Sequence, residues 1–246
     1  MPKKNMKEMG FLDHLEELRR RIIWSLVSVL VFSIVAYFFS DRIIDFLARP
    51  VARLYFLSPT EAFAVRIKVS IIVGIILSIP LIFYQIWQFI VPGLFEREVK
   101  AAVPAVAFST LFFLIGGSFY FFIVLPMAIK FLMGFGTEKL EPMIKIGSYI
   151  SFVAYTTLAF GAVFELPIVA YFLGKLGIIT DRTLRKGRRY AFLGILILAA
   201  VITPPDLFSQ IMLAIPLYIL YEASIIVLKM TQKRKDRPSV EPAEKE

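Results

Sequence analysis

Six apolar stretches constrain the fold of this chain more than any other feature. They cover residues 22–39, 69–91, 101–129, 146–173, 190–202 and 211–228. A helix needs about 20 apolar residues to cross a hydrocarbon layer of roughly 30 Å, and the first four stretches are long enough. Hydrophobic residues make up 58% of the chain and charged residues 19%, which is too apolar for one soluble core. The sequence therefore predicts an all-α integral membrane protein and excludes an ordinary soluble enzyme or a disordered chain.

The last two apolar stretches are short. The fifth, residues 190–202, would extend only about 20 Å as a helix, and Pro216 and Glu222 interrupt the sixth. We interpret the pair as a short hairpin closed by residues 203–206. A re-entrant loop that never crosses the membrane is the alternative. With six crossings, both termini are expected on the same side.

The distribution of basic residues predicts the orientation. Of the 28 Lys and Arg residues, 20 lie on the side of the termini, in residues 1–21, 91–101, 174–189 and 229–246. The other 8 lie in the opposite loops, residues 40–68, 130–145 and 203–210. The positive-inside rule places the richer side in the cytoplasm. The net charge of +9 then reflects topology, so nucleic acid is not an expected partner.

The predicted organisation has three parts. Residues 1–21 form a cytoplasmic amphipathic helix, residues 22–228 a six-helix transmembrane domain, and residues 229–246 a charged cytoplasmic tail expected to be disordered. In the first part, Glu16 with Arg20 and Glu17 with Arg21 have the spacing of helical ion pairs.

The loops on the far side are long enough to carry structure of their own. Residues 40–68 contain Pro50 and Pro59 and predict short interfacial helices at residues 41–48 and 60–65. Together with residues 130–145, this loop could form a cap on the bundle.

Two acidic residues lie inside apolar stretches. A carboxyl as deep as that of Glu165 costs several kcal/mol unless it is protonated, hydrated or partnered. It could contact a partner helix, a substrate segment or a water-filled cavity, or it could bond internally to a Ser, Thr or Tyr. Glu222 lies nearer the cytoplasmic end of its stretch and can extend its carboxylate to the surface.

Further carboxylates gather at the cytoplasmic face. Glu16 and Glu17 lie in the N-terminal helix, and Glu96 and Glu98 lie in the short second cytoplasmic loop. Carboxylates bind guanidinium groups through paired, charge-assisted hydrogen bonds. This face is therefore a natural site for a basic peptide, although solvated surface charge is an equally ordinary explanation.

Motifs for catalysis or cofactor binding are absent from the sequence. The chain has no Cys and one His, and it lacks HExxH, GxSxG, GxxxxGK[ST] and GxGxxG. We expect no enzymatic activity, no cofactor and no metal site.

Several motifs occur in the same order along the chain as similar motifs in one protein family. These are HLEELRRRI at residues 14–22, YQIWQFIVPGLFERE at 84–98, FGAVFELP at 160–167, LRKGRRY at 184–190 and TPPDLFSQ at 203–210. Together they resemble the TatC family, the multispanning core subunits of the twin-arginine protein translocase. The resemblance covers roughly residues 11–229.

The resemblance implies a fold and a function. The fold would be a glove-shaped bundle of six transmembrane helices, the last two short, with both termini in the cytoplasm, in the cell inner membrane. The function would be that of a receptor for the twin-arginine signal peptides of folded proteins. It would assemble with single-span TatA-like and TatB-like subunits and with further copies of itself. Export would use the proton-motive force.

The resemblance also implies roles for individual residues. Signal-peptide binding would involve Glu17, Glu98, Phe89, Leu18, Arg19 and Glu96, with Glu17 and Glu98 meeting the two arginines. Leu18 and Arg19 belong to the signature, and a structural role is their alternative. Glu165 would make polar contacts with partner helices, while Pro50 and Asp206 would serve folding or assembly.

Two other functions remain open at this point. A proton- or ion-coupled transporter could use Glu165 and Glu222, although no internal repeat or intramembrane base is evident. An intramembrane hydrolase would need a nucleophile that the sequence does not reveal.

Overall fold

A computed structural model of the chain describes residues 11–51, 53–90, 102–135, 143–175, 177–202 and 207–235. The regular structure of these residues is helical, which confirms the all-α prediction. The helices are α1 (Phe11–Tyr37), α2 (Ser40–Ala48), α3 (Pro59–Ile90), α4 (Ala102–Phe119), a π segment (Tyr120–Val124), α5 (Leu125–Met133), α6 (Ile146–Phe164), α7 (Leu166–Lys175), α8 (Asp181–Ile202) and α9 (Leu207–Lys235). The chain divides into two compact units, Met1–Ala159 and Phe160–Glu246, described separately below.

Among the described residues, five helical segments are long and apolar enough to cross a membrane: Leu12–Tyr37, Pro59–Ile90, Pro104–Met133, Ile146–Lys175 and Gln210–Met230. Helix α8 is not among them, because its first half is strongly basic and its apolar part begins only near Tyr190. This agrees with a short fifth stretch. That the chain crosses the membrane six times remains a prediction.

Helix α1 includes residues from two parts of the predicted organisation, the N-terminal amphipathic helix and the first apolar stretch. The predicted amphipathic helix and the first apolar stretch form one helix, since no Pro or Gly interrupts Phe11–Tyr37. At the other end of the chain, α9 continues to Lys235, well into the segment expected to be disordered.

In the first unit α1 packs along α3. Gly74 permits their close approach, because a Cβ at this position would lie 2.1 Å from Ser33 Oγ. This pairing brings the beginning of α1 beside the end of α3.

Helix α2 confirms the helix predicted at residues 41–48, but the helix predicted at residues 60–65 does not exist as a separate element. Those residues form the beginning of α3, because nothing after Pro59 breaks the helix until it reaches the apolar stretch. Ser58 caps it by accepting a hydrogen bond from Glu61 N at 3.3 Å.

The two loops predicted to form a cap are joined to each other. Tyr55 N donates to Ile144 O at 3.0 Å, and Ile146 N donates to Tyr55 O at 2.8 Å. Glu61 strengthens this junction, since its carboxylate accepts hydrogen bonds from Leu57 N and Gly147 N, both at 3.0 Å. We call the junction of Tyr55 and Glu61 with residues 144–147 the loop clasp.

The third apolar stretch changes its helical winding halfway. The π segment Tyr120–Val124 lies directly before Pro126. Proline has no N–H to donate to the carbonyl four residues earlier, so wider i→i+5 hydrogen bonding is a natural local solution.

In the second unit α9 packs against α7 and α8. Gly174 of α7 lets Leu228 approach, because a Cβ there would lie 1.9 Å from Leu228 Cδ1. Tyr221 OH of α9 donates to Leu184 O of α8 at 2.7 Å.

Candidate functional site

Arg21 connects the beginning of α1 to the end of α3. Its Nη2 donates to Glu17 Oε1 at 2.9 Å, one helical turn earlier. Its Nη1 donates to Gln85 Oε1 at 3.0 Å and also to Gln88 Oε1. The predicted ion pair between Glu17 and Arg21 is thus present, and two glutamines of α3 hold it in place.

Glu17 keeps part of its hydrogen-bonding capacity. An ionised carboxylate can accept about four hydrogen bonds through two oxygens. Among the residues that the structure describes, Oε2 of Glu17 has no hydrogen-bond partner. The side chain is 18% exposed, so the carboxylate is anchored on one side and reachable on the other.

Phe89 lies beside this cluster and stacks on His14. The ring centroids are 4.3 Å apart and the planes differ by 17°. His14 precedes Glu17 by about one turn of α1, so the stacked pair and the carboxylate face the same end of α3. The arrangement places an aromatic surface next to an anionic group.

The other N-terminal residues lie at the edge of this cluster. Leu18 is half-buried and Arg19 is exposed. Within the described part of the chain, Glu16 and Arg20 form no ion pair with each other, so the second predicted pair is absent.

Three of the residues singled out in the sequence lie outside the described residues. They are Glu96 and Glu98, which lie between α3 and α4 in the sequence, and Asp206, which lies between α8 and α9.

Glu165 lies at an interruption between α6 and α7. The residue is buried, with 8% of its surface exposed. Pro167 has no N–H to donate to the carbonyl of Val163. Glu165 N bonds to Ala162 O at 3.2 Å, three residues earlier rather than the four of a regular α-helix. The interruption holds a carboxyl at a defined position in an otherwise apolar segment.

Glu222 has partners in α8 and in its own helix. Its Oε2 lies 2.6 Å from Arg188 Nη2, and its Oε1 accepts a hydrogen bond from Tyr218 OH at 3.2 Å. Both oxygens of this carboxylate are therefore engaged within the second unit.

Pro50 follows the end of α2, where Val51 N donates to Ala48 O at 3.0 Å. Tyr149 OH donates to Leu47 O at 2.7 Å just before this turn. Pro50 therefore lies where the chain leaves α2, which is a common position for a residue that stops a helix.

The cluster also contains three residues to which the sequence analysis assigned no role: Tyr84, Gln85 and Gln88. Gln88 Nε2 also donates to Tyr84 OH. Two signals were available in the sequence: these residues belong to the motif at 84–98, and Gln88 follows Tyr84 and Gln85 by four and three residues, which places it on their face of the helix.

No group of three or more His, Asp or Glu side chains within the described ranges is placed to hold a metal ion. The fold and the cluster define a multi-pass helical membrane protein with a polar cluster around the Glu17 carboxylate at one end of the α1 and α3 pair.

Comparisons with known proteins identify the family. The model of the TatC family, the Sec-independent protein translocase protein, matches residues 13–216. The Sec-independent protein translocase protein TatC of Desulforapulum autotrophicum is 41% identical, over 95% of this chain and 89% of that protein. The TatC of Carboxydothermus hydrogenoformans is 44% identical, over 93% of this chain and 96% of that protein.

A solved structure agrees. A crystal structure of the twin arginine translocase receptor TatC superposes with a TM-score of 0.82 at 41% identity, covering 89% of this chain and 99% of that one. The chain belongs to the TatC family of Sec-independent protein translocase proteins. It is a component of protein transport, and none of these relatives is described by a catalytic activity.

Proposed function

We propose that this protein is the core receptor of a twin-arginine translocase and binds the twin-arginine signal peptides of folded proteins at the cytoplasmic face. The observation that carries this proposal is the anchored carboxylate of Glu17. Arg21, Gln85 and Gln88 fix its position, while Oε2 has no partner among the described residues. A guanidinium that approaches Oε2 finds an acceptor that is already oriented, so little conformational entropy is lost on binding.

Two arginines need more than one carboxylate. Glu17 is partly neutralised by Arg21, so a second guanidinium requires another acceptor. Glu98 occupies the family position for this role, and Glu96 lies two residues before it. Both follow the end of α3 at Ile90, the helix end that Arg21 ties to Glu17.

Phe89, Leu18 and Arg19 complete the proposed surface. The Phe89 ring offers a face on which the aliphatic part of an arginine, or its guanidinium plane, can stack. Half-buried Leu18 would contact apolar signal-peptide residues, and exposed Arg19 would help orient the N-terminal helix.

The proposed location is the cell inner membrane, with both termini in the cytoplasm. The excess of Lys and Arg on the side of the termini supports this orientation. The organisation that goes with it is a cytoplasmic helix at residues 1–21, six spans within residues 22–228 and a charged tail at residues 229–246.

The proposed partners are TatA-like and TatB-like single-span subunits and further copies of the receptor, which together export the substrate with the proton-motive force. Glu165 is the proposed polar contact for a partner helix, since it lies at a helix interruption inside an apolar segment. Pro50 and Asp206 are proposed to support folding or assembly. The protein itself would catalyse no reaction.

The direct test is binding of a labelled signal peptide with adjacent arginines to the purified protein in detergent, beside the same peptide with two lysines. Preferential binding of the Arg-Arg peptide, lost in Glu98→Ala, is the expected result. Equal binding of both peptides to a well-folded sample would overturn the receptor assignment for the isolated chain.

A further inference from the structure

An apolar cleft of about 240 Å3 lies in the first unit between α2, α3, α4, the π segment and α6. Apolar side chains dominate its walls, among them Phe46, Val69, Ile76 and Val153. The hydroxyl of Thr157, which also lines the cleft, is turned back and donates to Val153 O at 2.7 Å. The cleft therefore offers contact with hydrocarbon and little that would orient a polar ligand.

The size of the cleft limits what can occupy it. Pockets for drug-sized ligands are usually about 300–1,000 Å3. A helix about 10 Å wide needs a broad surface groove rather than a cleft of this size. A flexible hydrocarbon chain matches the chemistry of the walls, and part of its length can lie in the cleft.

A cation lies beside Phe46, one of the residues that line the cleft. Phe46 stacks on Phe121 with ring centroids 4.9 Å apart, and Phe122 meets it edge-on at 6.4 Å. Arg49 Cζ lies 5.0 Å from the centre of the Phe46 ring. Arg49 is exposed and forms no ion pair with any described residue, so its guanidinium can bind a phosphate.

We propose that the cleft and Arg49 together bind one anionic phospholipid. One acyl chain lies in the cleft, and the phosphate lies on the Arg49 guanidinium above Phe46. The apolar lining of the cleft and the cation beside Phe46 match the two parts of such a lipid. The cleft involves Val69 to Ile76 of α3, whereas the Glu17 cluster contacts Gln85 to Phe89, so the two sites are separable.

Tryptophan quenching by brominated lipids can test the site. The chain has two Trp residues, of which Trp24 is exposed and Trp87 is buried. In a Trp24→Phe background, Phe122→Trp places a reporter in the cleft wall and Ile123→Trp places one on the neighbouring exposed position. The Trp87 signal is subtracted with the protein that lacks a reporter.

Each protein is reconstituted into vesicles that contain brominated phosphatidylglycerol or brominated phosphatidylcholine. We expect the reporter at 122 to show a roughly two- to fivefold preference for phosphatidylglycerol, lost in Arg49→Gln and kept in Arg42→Gln. We expect no preference at 123. Equal quenching by both lipids at 122, the same preference at 123, or a preference that survives Arg49→Gln would each overturn the proposal.

A second measurement avoids the reporter substitutions. Native mass spectrometry of the unmodified chain with added phosphatidylglycerol should show one retained lipid. Arg49→Gln should reduce its occupancy by a similar factor. An unchanged occupancy in that variant would contradict the site.

Discussion

Two carboxylates lie near opposite ends of α3, and their surroundings differ in kind. Glu61 at the beginning of the helix uses both oxygens, which accept hydrogen bonds from Leu57 N and Gly147 N. Its Oε1 also lies 3.8 Å from Lys145 Nζ. Glu17, beside the other end of the helix, uses one oxygen for Arg21, and its second oxygen has no partner among the described residues.

The difference separates a carboxylate whose hydrogen bonds join two loops from one that we propose receives an arginine of the signal peptide. Glu61 joins two loops, and its hydrogen bonds are used within the chain. Glu17 is held in position but keeps an acceptor for something else. Charge or depth alone would not distinguish them, since both are glutamates at helix ends near basic residues.

The largest effect is expected at Arg21, because it both holds Glu17 and bonds to α3. Arg21→Leu leaves Glu17, Gln85 and Gln88 without their shared donor and should lower the free energy of unfolding by about 2 kcal/mol or more. Peptide binding should fall as well. Thermal unfolding in detergent and peptide titration measure the two effects, and Arg20→Leu is the matched control. An unchanged melting temperature would show that the cluster does not hold α1 on α3.

The next effect is expected at the loop clasp. Glu61→Gln replaces one carboxylate oxygen by an N–H₂ group that cannot accept from a backbone N–H, so one of two hydrogen bonds is lost. The melting temperature should fall, while peptide affinity below the transition should stay at the wild-type value. Asp45→Gln is a control at an exposed acid. A selective loss of peptide binding in Glu61→Gln would erase the distinction between the two carboxylates.

A smaller effect is expected at Phe89. Phe89→Leu keeps an apolar side chain but removes the stacking on His14, which is worth about 0.5–1.5 kcal/mol. We expect peptide affinity to fall by roughly two- to tenfold. Phe83→Leu, six residues before Phe89 in α3, controls for the loss of an aromatic ring. Equal effects of the two substitutions on peptide binding would remove Phe89 from the site.

Much of the fold could be predicted from apolar length and charge. The lengths of the stretches predict the helices. Pro126 and Pro167 lie beside the π segment and the interruption at Glu165. Pro80 and Pro216 lie inside α3 and α9, so a proline alone does not predict where a helix changes. The continuity of α3 was harder to predict, because polar residues at 60, 61, 66 and 68 precede the apolar stretch although nothing there breaks the helix. A polar beginning does not end a helix.

The candidate site was predictable only in part. Glu17 and Phe89 could be found from the motifs that carry them. The bonds from Arg21 to Gln85 and Gln88 could not, because the register between α1 and α3 depends on packing such as that of Gly74 against Ser33. A single sequence gives the periodicity of each helix but not which turns of two helices meet.

The most direct test of the binding role of Glu17 is a double-mutant cycle across the proposed contact. The affinities of the Arg-Arg and Lys-Lys peptides are measured for the wild type and for Glu17→Gln, with Glu16→Gln as the control. If Glu17 receives an arginine, the preference for Arg-Arg should fall about tenfold in Glu17→Gln and stay unchanged in Glu16→Gln. A full preference retained in Glu17→Gln would contradict the assignment of Glu17 as the binding carboxylate.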